Sequence, residues 1–152
     1  MKIKAWSAVF GALTLAVMVI IFAFSSQPAD LSGETSEGIA LLLFPQLAET
    51  DPEVVGEVNH VIRKCAHAFV YALLGGFAAG FTLSFRSTIA DGCLFAVLPG
   101  WGCAVLYAIS DEIHQMFVPG RGPAVIDVLL DSTGAALGAA AAALIWVLTR
   151  KE

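Results

Sequence analysis

The stretch GCLFAVLPGWGCAVLYAIS, residues 92–110, contains no Asp, Glu, Lys or Arg. About 20 consecutive apolar residues are enough for a helix to cross the hydrocarbon core of a bilayer. Three further stretches of similar length lack these charged residues: Ala5–Phe24, Cys65–Phe85 and Ser132–Thr149. The sequence therefore predicts an all-α integral membrane protein in which four helices form a bundle.

The composition of the chain supports this class. Of the 152 residues, 58% are hydrophobic and 14% are charged, whereas roughly a quarter of the residues of a soluble domain are charged. No basic patch is present for a nucleic acid, so no nucleic-acid partner is expected. The three cysteines fit no metal-ligand spacing, and neither a metal nor another cofactor is expected.

The positive charges outside the motifs described below predict how the chain is oriented. With four spans, one side of the membrane receives Lys2, Lys4, Arg86, Arg150 and Lys151. Positively charged residues favour the cytoplasmic side, so both termini are expected in the cytoplasm. The prediction is a single multi-pass domain over residues 1–152, with spans at about 5–24, 65–85, 92–117 and 126–149 and an extracytoplasmic segment at about 25–64.

The extracytoplasmic segment has a helical pattern of its own. In DPEVVGEVNHVIRKC, residues 51–65, Asp51 can cap a helix that has Pro52 at its first position. Hydrophobic residues then recur at helical spacing, with polar residues opposite. We predict an amphipathic helix at the membrane surface between spans one and two. A shorter helix is predicted over residues 32–44, ended by Pro45.

Small residues are spaced for close contact between helices. Gly76-Phe-Ala-Ala-Gly80 lies on span two and Gly134-x-x-x-Gly138 on span four. Such motifs let two membrane helices approach closely.

Ionisable and polar residues cluster at one end of three predicted spans. The helical rotation of about 100° per residue puts them on one face of each: Lys64, His67 and Tyr71 on span two, Tyr107, Asp111 and His114 on span three, and Asp127 and Asp131 on span four. Because the spans alternate in direction, these ends share one outward-facing level with FSSQP, residues 24–28. An ionisable side chain within a bilayer costs several kcal/mol unless it faces protein or water. The sequence therefore predicts one outward-facing polar site.

The sharpest expectation concerns Asp111 and His114, which are neighbours on a helix surface because they are three residues apart. We expect them to face His67 and Asp127 around one cavity open to the outside. Glu112 is expected to lie to the side of it.

Four motifs, in this order, resemble the VanZ-like family: FSSQP at 24–28, RKCAHAFVYALLG at 63–75, YAISDEIHQMFVPGR at 107–121 and DVLLDSTGAALG at 127–138. The resemblance covers nearly the whole chain. It implies a bacterial protein of the cytoplasmic membrane. The founding member of the family is associated with resistance to the glycopeptide antibiotic teicoplanin, so the resemblance links the chain to the cell envelope and to antibiotic resistance.

Carried over position by position, the motifs imply a set of site residues: Ser26, Gln27, Arg63, Lys64, His67, Tyr71, Asp111, Glu112, His114, Gln115, Arg121 and Asp127. The chain departs from the family pattern at Asp131, where many members carry asparagine. A proton shared between Asp127 and Asp131 is therefore conceivable.

Two kinds of function fit such a site. In the first, the protein binds or acts on an anionic lipid-linked component of the envelope, and arginines hold phosphate. The candidate catalytic residues are His67, Asp111, His114 and Asp127, with His67 or His114 as general base. The candidate ligand-binding residues are Gln27, Arg63, Lys64, Tyr71, Glu112, Gln115, Arg121 and Asp131. No nucleophile stands out, so catalysis stays open.

In the second kind of function, the protein is not a catalyst and shields or reorganises envelope components, and its polar cluster fixes the shape of the bundle. A metal site is a weaker alternative, because no spacing resembles an established zinc motif. Transport is weaker still, because four short spans leave little room for alternating access without a dimer. The expected partner is a membrane lipid or a lipid-linked envelope precursor, and a homo-oligomer is an open alternative.

Overall fold

The computed structural model describes residues 2–85 and 93–149. Regular structure in these two ranges is entirely helical, which confirms the predicted all-α class. The helices are α1 (Lys2–Ser25), α2 (Ala29–Leu43), α3 (Pro52–Leu83), α4 (Cys93–Gln115) and α5 (Val125–Thr149), with a 3-10 helix at Pro45–Glu49. The side chains of Lys2 and Lys4 lie outside the described part, as do Arg86, Arg150 and Lys151, so the orientation in the membrane stays a prediction.

Among the described residues, three helices are long and apolar enough to cross a membrane, namely those at Ala5–Ser25, Pro52–Leu83 and Val125–Thr149. The predicted third span corresponds to α4, a helix of 23 residues that packs against α3 and α5. Its crossing of the membrane remains a prediction.

The predicted amphipathic helix is not separate from span two. Asp51 caps it as expected, since its side chain accepts a hydrogen bond from the Glu53 backbone at 2.9 Å. The helix that begins at Pro52 then continues for 32 residues to Leu83. At 1.5 Å per residue it is about 48 Å long, which exceeds the roughly 30 Å of a hydrocarbon core. Its first turns therefore extend α3 beyond the membrane instead of forming a separate helix along the surface.

The predicted shorter helix is α2, which begins at Ala29 and ends just before Phe44 and Pro45. Two contacts hold it against the rest of the protein. The Ala29 backbone donates to the Pro119 carbonyl at 3.1 Å. Asn59 of α3 donates to the Gly33 carbonyl at 3.2 Å.

Helices α3 and α5 approach each other most closely. A Cβ added to Gly138 would lie 1.8 Å from the Ala72 carbonyl oxygen, and one added to Gly134 would lie 2.3 Å from that of Ala68. On α3 the tightest position is Gly75, whose added Cβ would lie 2.1 Å from the Ala135 carbonyl oxygen. The predicted packing motif of α5 is thus confirmed.

The predicted motif of α3 works differently from the expectation. A Cβ at Gly76 would lie 3.3 Å from the Gly138 carbonyl oxygen, so this contact with α5 is looser than that of Gly75. Gly80 faces α1 instead, where an added Cβ would lie 2.9 Å from the Phe10 ring.

Apolar side chains cover the outside of the bundle, and several polar side chains lie inside. Large exposed residues occur on each long helix, for example Phe22, Phe69, Leu106 and Leu137. The buried polar residues include Asp111, Glu112, Gln115 and Asp131. This distribution suits a protein whose outer surface contacts lipid, since ionisable groups inside a membrane face the interior of the bundle.

Candidate functional site

Several helix ends meet at one end of the bundle, where α1 and α4 finish and α5 begins. The residues between α4 and α5 and the first half of α3 complete this region. They enclose a cavity of about 150 Å³, called the polar cavity below. Eight predicted site residues line it: Arg63, Lys64, His67, Glu112, Gln115, Arg121, Asp127 and Asp131. The convergence of α3, α4 and α5 on one site agrees with the expectation.

Two contacts between a basic and an acidic side chain connect α3 to α5 across the polar cavity. Lys64 forms an ion pair with Asp127. One turn further along, His67 Nδ1 lies 3.7 Å from Asp131 Oδ2. The expected sharing of a proton between Asp127 and Asp131 is not needed, because each acid has its own basic neighbour on α3.

Asp131 is the more buried of the two acids, with 1% of its surface exposed. Neither of its carboxylate oxygens has a hydrogen-bond partner among the described residues. A buried carboxylate without hydrogen bonds is costly, so the nearby imidazole of His67 is its main compensation.

Glu112 lines the polar cavity, so the expectation that it lies to the side was wrong. Its side chain is 6% exposed, and its Oε2 accepts a hydrogen bond from the Ala124 backbone at 2.8 Å. Ala124 directly precedes α5, and a carboxylate near the start of a helix is favoured by the helix dipole. Glu112 therefore fixes the start of α5 beside the cavity.

Asp111 and His114 do not line the polar cavity, which corrects the predicted four-residue arrangement with His67 and Asp127. Asp111 is 5% exposed, and its Oδ2 accepts hydrogen bonds from Ser25 Oγ at 2.9 Å and from Gln115 Nε2 at 3.2 Å. The physical reason is the position of α4 between two neighbours. Its Glu112 side faces the start of α5, and its Asp111 side faces the end of α1.

His114 faces the end of α1 as well. Its Nε2 lies 3.1 Å from Ser26 Oγ, and its ring packs on Phe22 with 4.8 Å between the ring centroids. The two serines of FSSQP thus bind the two ionisable residues of α4 that miss the cavity. The spacing of Asp111 and His114 did place them on one face, but that face meets α1.

Two further candidate residues lie beside the polar cavity and not in it. Gln27 and Tyr71 line a second space between α1, α2 and α3, called the apolar groove below. Tyr71 is fully buried, and its hydroxyl has no hydrogen-bond partner among the described residues.

Arg63 and Arg121 differ from the other charged residues of the polar cavity. The ion pairs among the described residues are Lys64–Asp127 and His67–Asp131, so neither arginine has a carboxylate partner. Arg121 donates from Nη2 to the Phe24 carbonyl at 3.2 Å. Arg121 forms no ion pair with Asp127, whose described partner is Lys64.

The two arginines influence each other electrostatically. Burial lowers the pKa of the Arg121 guanidinium, the positive charge of Arg63 lowers it further, and the carboxylates of Asp111 and Glu112 raise it. A guanidinium nevertheless stays protonated in proteins. The polar cavity thus holds two positive charges that no described acid neutralises by direct contact.

Some contributors were missed from the sequence. His60 lines the polar cavity, and its Nδ1 lies 3.4 Å from an Arg63 nitrogen. The sequence did contain a signal for His60. It lies three residues before Arg63 and four before Lys64, and residues at these spacings share a helix face. Ser25 of the FSSQP motif was not among the predicted site residues, although it donates a hydrogen bond to Asp111. The contacts made by the backbone groups of Phe24 and Ala124 could not be predicted from the sequence, because nearly every residue type has a backbone carbonyl and a backbone N–H.

Comparison with known proteins gives one match. The model of the VanZ/LLP1 family matches residues 10–147. No curated protein and no solved structure matches the chain. No group of three or more His, Cys, Asp or Glu side chains in residues 5–85 and 95–149 is arranged to hold a metal ion. Since the family match spans nearly the whole sequence, the chain belongs to the VanZ/LLP1 family.

Proposed function

We propose that the polar cavity binds the anionic headgroup of a lipid-linked component of the bacterial cell envelope. The cavity then faces the outside of the cytoplasmic membrane, and both termini lie in the cytoplasm. A role in resistance to glycopeptides such as teicoplanin would follow from sequestering or presenting such a component. The protein acts in this proposal as a binding protein.

One observation carries the proposal: Arg63 and Arg121 line the same cavity without a carboxylate partner. The positive charges of the two guanidinium groups repel each other, and a bound anion reduces this repulsion. Their planar donors match the oxygens of a phosphate. The remaining charges of the cavity are already paired, or bound to the backbone as in Glu112.

A lipid is the most suitable carrier of this anion because of where the cavity lies. It is found where α1 and α4 end and α5 begins, which is the boundary of an apolar outer surface. A headgroup reaches such a place while its hydrocarbon part stays in an apolar environment. A ligand dissolved in water gains nothing from this position.

The geometry of Ser26 favours binding over catalysis. Its hydroxyl donates to the Phe22 carbonyl at 2.7 Å, and a hydroxyl has a single proton to donate. His114 Nε2, 3.1 Å away, must therefore act as the donor in its contact with Ser26 Oγ. A nucleophilic serine needs the opposite arrangement, in which the imidazole accepts the proton of the hydroxyl.

The proposal is tested by measuring which lipids remain bound to the purified protein by native mass spectrometry. We expect a phosphate-containing lipid to be retained by the wild type. Arg63→Gln and Arg121→Gln should each weaken this retention by roughly tenfold, as expected for one charge-assisted hydrogen bond. Arg150→Gln is the matched control, because Arg150 follows α5 at the other predicted side of the membrane, and it should have no effect.

Thermal unfolding of each variant separates a loss of binding from a loss of folding. Equal lipid retention by the wild type and by folded Arg63→Gln and Arg121→Gln proteins would refute the proposal. The proposal would also be refuted if the lipids retained by the protein had the same proportions as the lipids of the membrane.

A further inference from the structure

The apolar groove lies directly beside the polar cavity and has a different chemical character. It has a volume of about 250 Å³ and runs between α1, α2 and α3. Its surface is mostly apolar, and its aliphatic residues are Ile20 and Ile21 from α1, Ile39 from α2, and Ile62, Ala66 and Val70 from α3. An apolar space of this kind is suited to a hydrocarbon chain.

The two spaces share one wall. Arg63, His67 and Arg121 line both the polar cavity and the apolar groove. The two arginines without a carboxylate partner are therefore placed where the polar space passes into the apolar one. An anion bound by them lies at the mouth of the groove.

Polar residues also line the groove on all three helices: Ser25 and Gln27 near the end of α1, Ser32, Thr35 and Ser36 on α2, and Tyr71 on α3. Most of the groove's surface is nevertheless apolar. From Ile62 to Val70 the groove follows α3 for about 12 Å. A phosphate held by the two arginines and a hydrocarbon chain in this apolar space together fit a phosphate-headed lipid.

Helix α2 forms the outer side of the groove. Ser36 and Ala40 are buried, whereas Leu42, Leu43 and Phe44 are exposed at its end. The start of α2 is held to the α4–α5 connection through Ala29 and Pro119. A chain in the groove is thus enclosed by protein on three sides, unlike a lipid that only touches the outer surface.

We infer that the apolar groove holds one hydrocarbon chain of a phosphate-headed membrane lipid whose headgroup is bound by Arg63 and Arg121. This inference rests on the proposed function and adds where the ligand's chain lies. The ligand is then an amphiphile held partly inside the bundle, and the length of its chain contributes to its affinity.

The inference is tested by narrowing the groove with Ala66→Phe. The matched control is Ala141→Phe, because Ala66 and Ala141 are both exposed alanines and only Ala66 lines the groove. Two probes are compared: long-chain phosphatidylglycerol and glycerol 3-phosphate, which has the phosphate without the chains. We expect Ala66→Phe to weaken retention of the long-chain lipid by about tenfold or more, because excluding two methylene groups suffices for this. Binding of glycerol 3-phosphate should stay unchanged, and Ala141→Phe should affect neither probe.

The outcomes separate this inference from the proposed function. If Arg63→Gln weakens both probes while Ala66→Phe weakens neither, the headgroup site stands and the groove inference is refuted. If Ala66→Phe weakens binding of the long-chain lipid and the arginine variants weaken binding of neither probe, the proposed function fails. The inference that one lipid occupies both the cavity and the groove then fails with it.

A second measurement does not depend on the folding of a variant. The wild-type protein is placed in phosphatidylglycerol bilayers that contain a photoreactive group on one acyl chain. We expect crosslinks at Ile21, Ile62 and Val70, which line the groove and are less exposed than the neighbouring Phe69. Crosslinks confined to outward-facing residues such as Leu106 and Leu137 would overturn the inference, because they would place the chain in the surrounding lipid.

Discussion

Arg121 both supports the fold and faces the polar cavity. It donates to the Phe24 carbonyl at the end of α1 while its guanidinium lines the cavity. Lysine keeps the charge but has no planar group that can serve two acceptors at fixed angles. We therefore expect Arg121→Lys to weaken lipid retention roughly three- to tenfold, which corresponds to the net contribution of one ordinary hydrogen bond. Undiminished retention in the lysine variant would mean that the charge alone matters.

Asp111 and Glu112 illustrate what could be predicted at a single position. Helical periodicity shows that two consecutive residues lie about 100° apart, and this held. It does not show which side of α4 the cavity occupies, because that depends on the neighbours of α4. The cost of a carboxylate in lipid predicted correctly that Asp111 faces the interior of the bundle, whereas the burial of Glu112 was not predicted. The assignment of Asp111 to the cavity failed because Ser25, a residue 86 positions away in the chain, is its partner.

The contact between α3 and α5 depends on positions without side chains. At Gly138 an added methyl group would overlap the Ala72 carbonyl, and a backbone cannot move aside as a flexible side chain can. We expect Gly138→Ala to destabilise the protein by about 1–3 kcal/mol, the usual effect of overpacking. The measurement is unfolding in detergent with increasing denaturant.

Gly102→Ala is the control for this substitution. Gly102 also lies within a helix, but an added Cβ there would contact nothing within 4 Å. This variant should be as stable as the wild type or slightly more stable, since alanine favours a helix. Equal stability of the two variants would contradict the role assigned to the α3–α5 contact.

The positions of the helices were largely predictable, and the residues at which they begin and end were less predictable. Apolar stretches and the Asp51-Pro52 signal identified the positions of α1, α3, α4 and α5. The continuity of α3 was missed because the composition changes near Arg63 and Lys64, and a change in polarity was interpreted as the end of an element. The backbone shows no such break, since neither proline nor glycine occurs between Val58 and Ala72.

The orientation of the whole molecule determines which side of the membrane the site faces. Glu49 is exposed at the end of the 3-10 helix, on the segment that is predicted to be outside. In a variant without the natural cysteines, Glu49→Cys should react with a membrane-impermeant maleimide on intact cells. A cysteine at Glu152 should react only after the membrane is opened. The reverse pattern would place the polar cavity in the cytoplasm and exclude an extracytoplasmic ligand.

The close contact between α3 and α5 also has a consequence for affinity. Lys64 and His67 lie on the same helix as Gly75, and Asp127 and Asp131 lie on the same helix as Gly134 and Gly138. Two backbones in contact cannot slide along each other, so these pairs keep their register before any ligand arrives. The site is preorganised, and little conformational entropy is left to lose on binding. Loosening the glycine contact should therefore shorten the residence time of a bound molecule even when every group that touches it is intact.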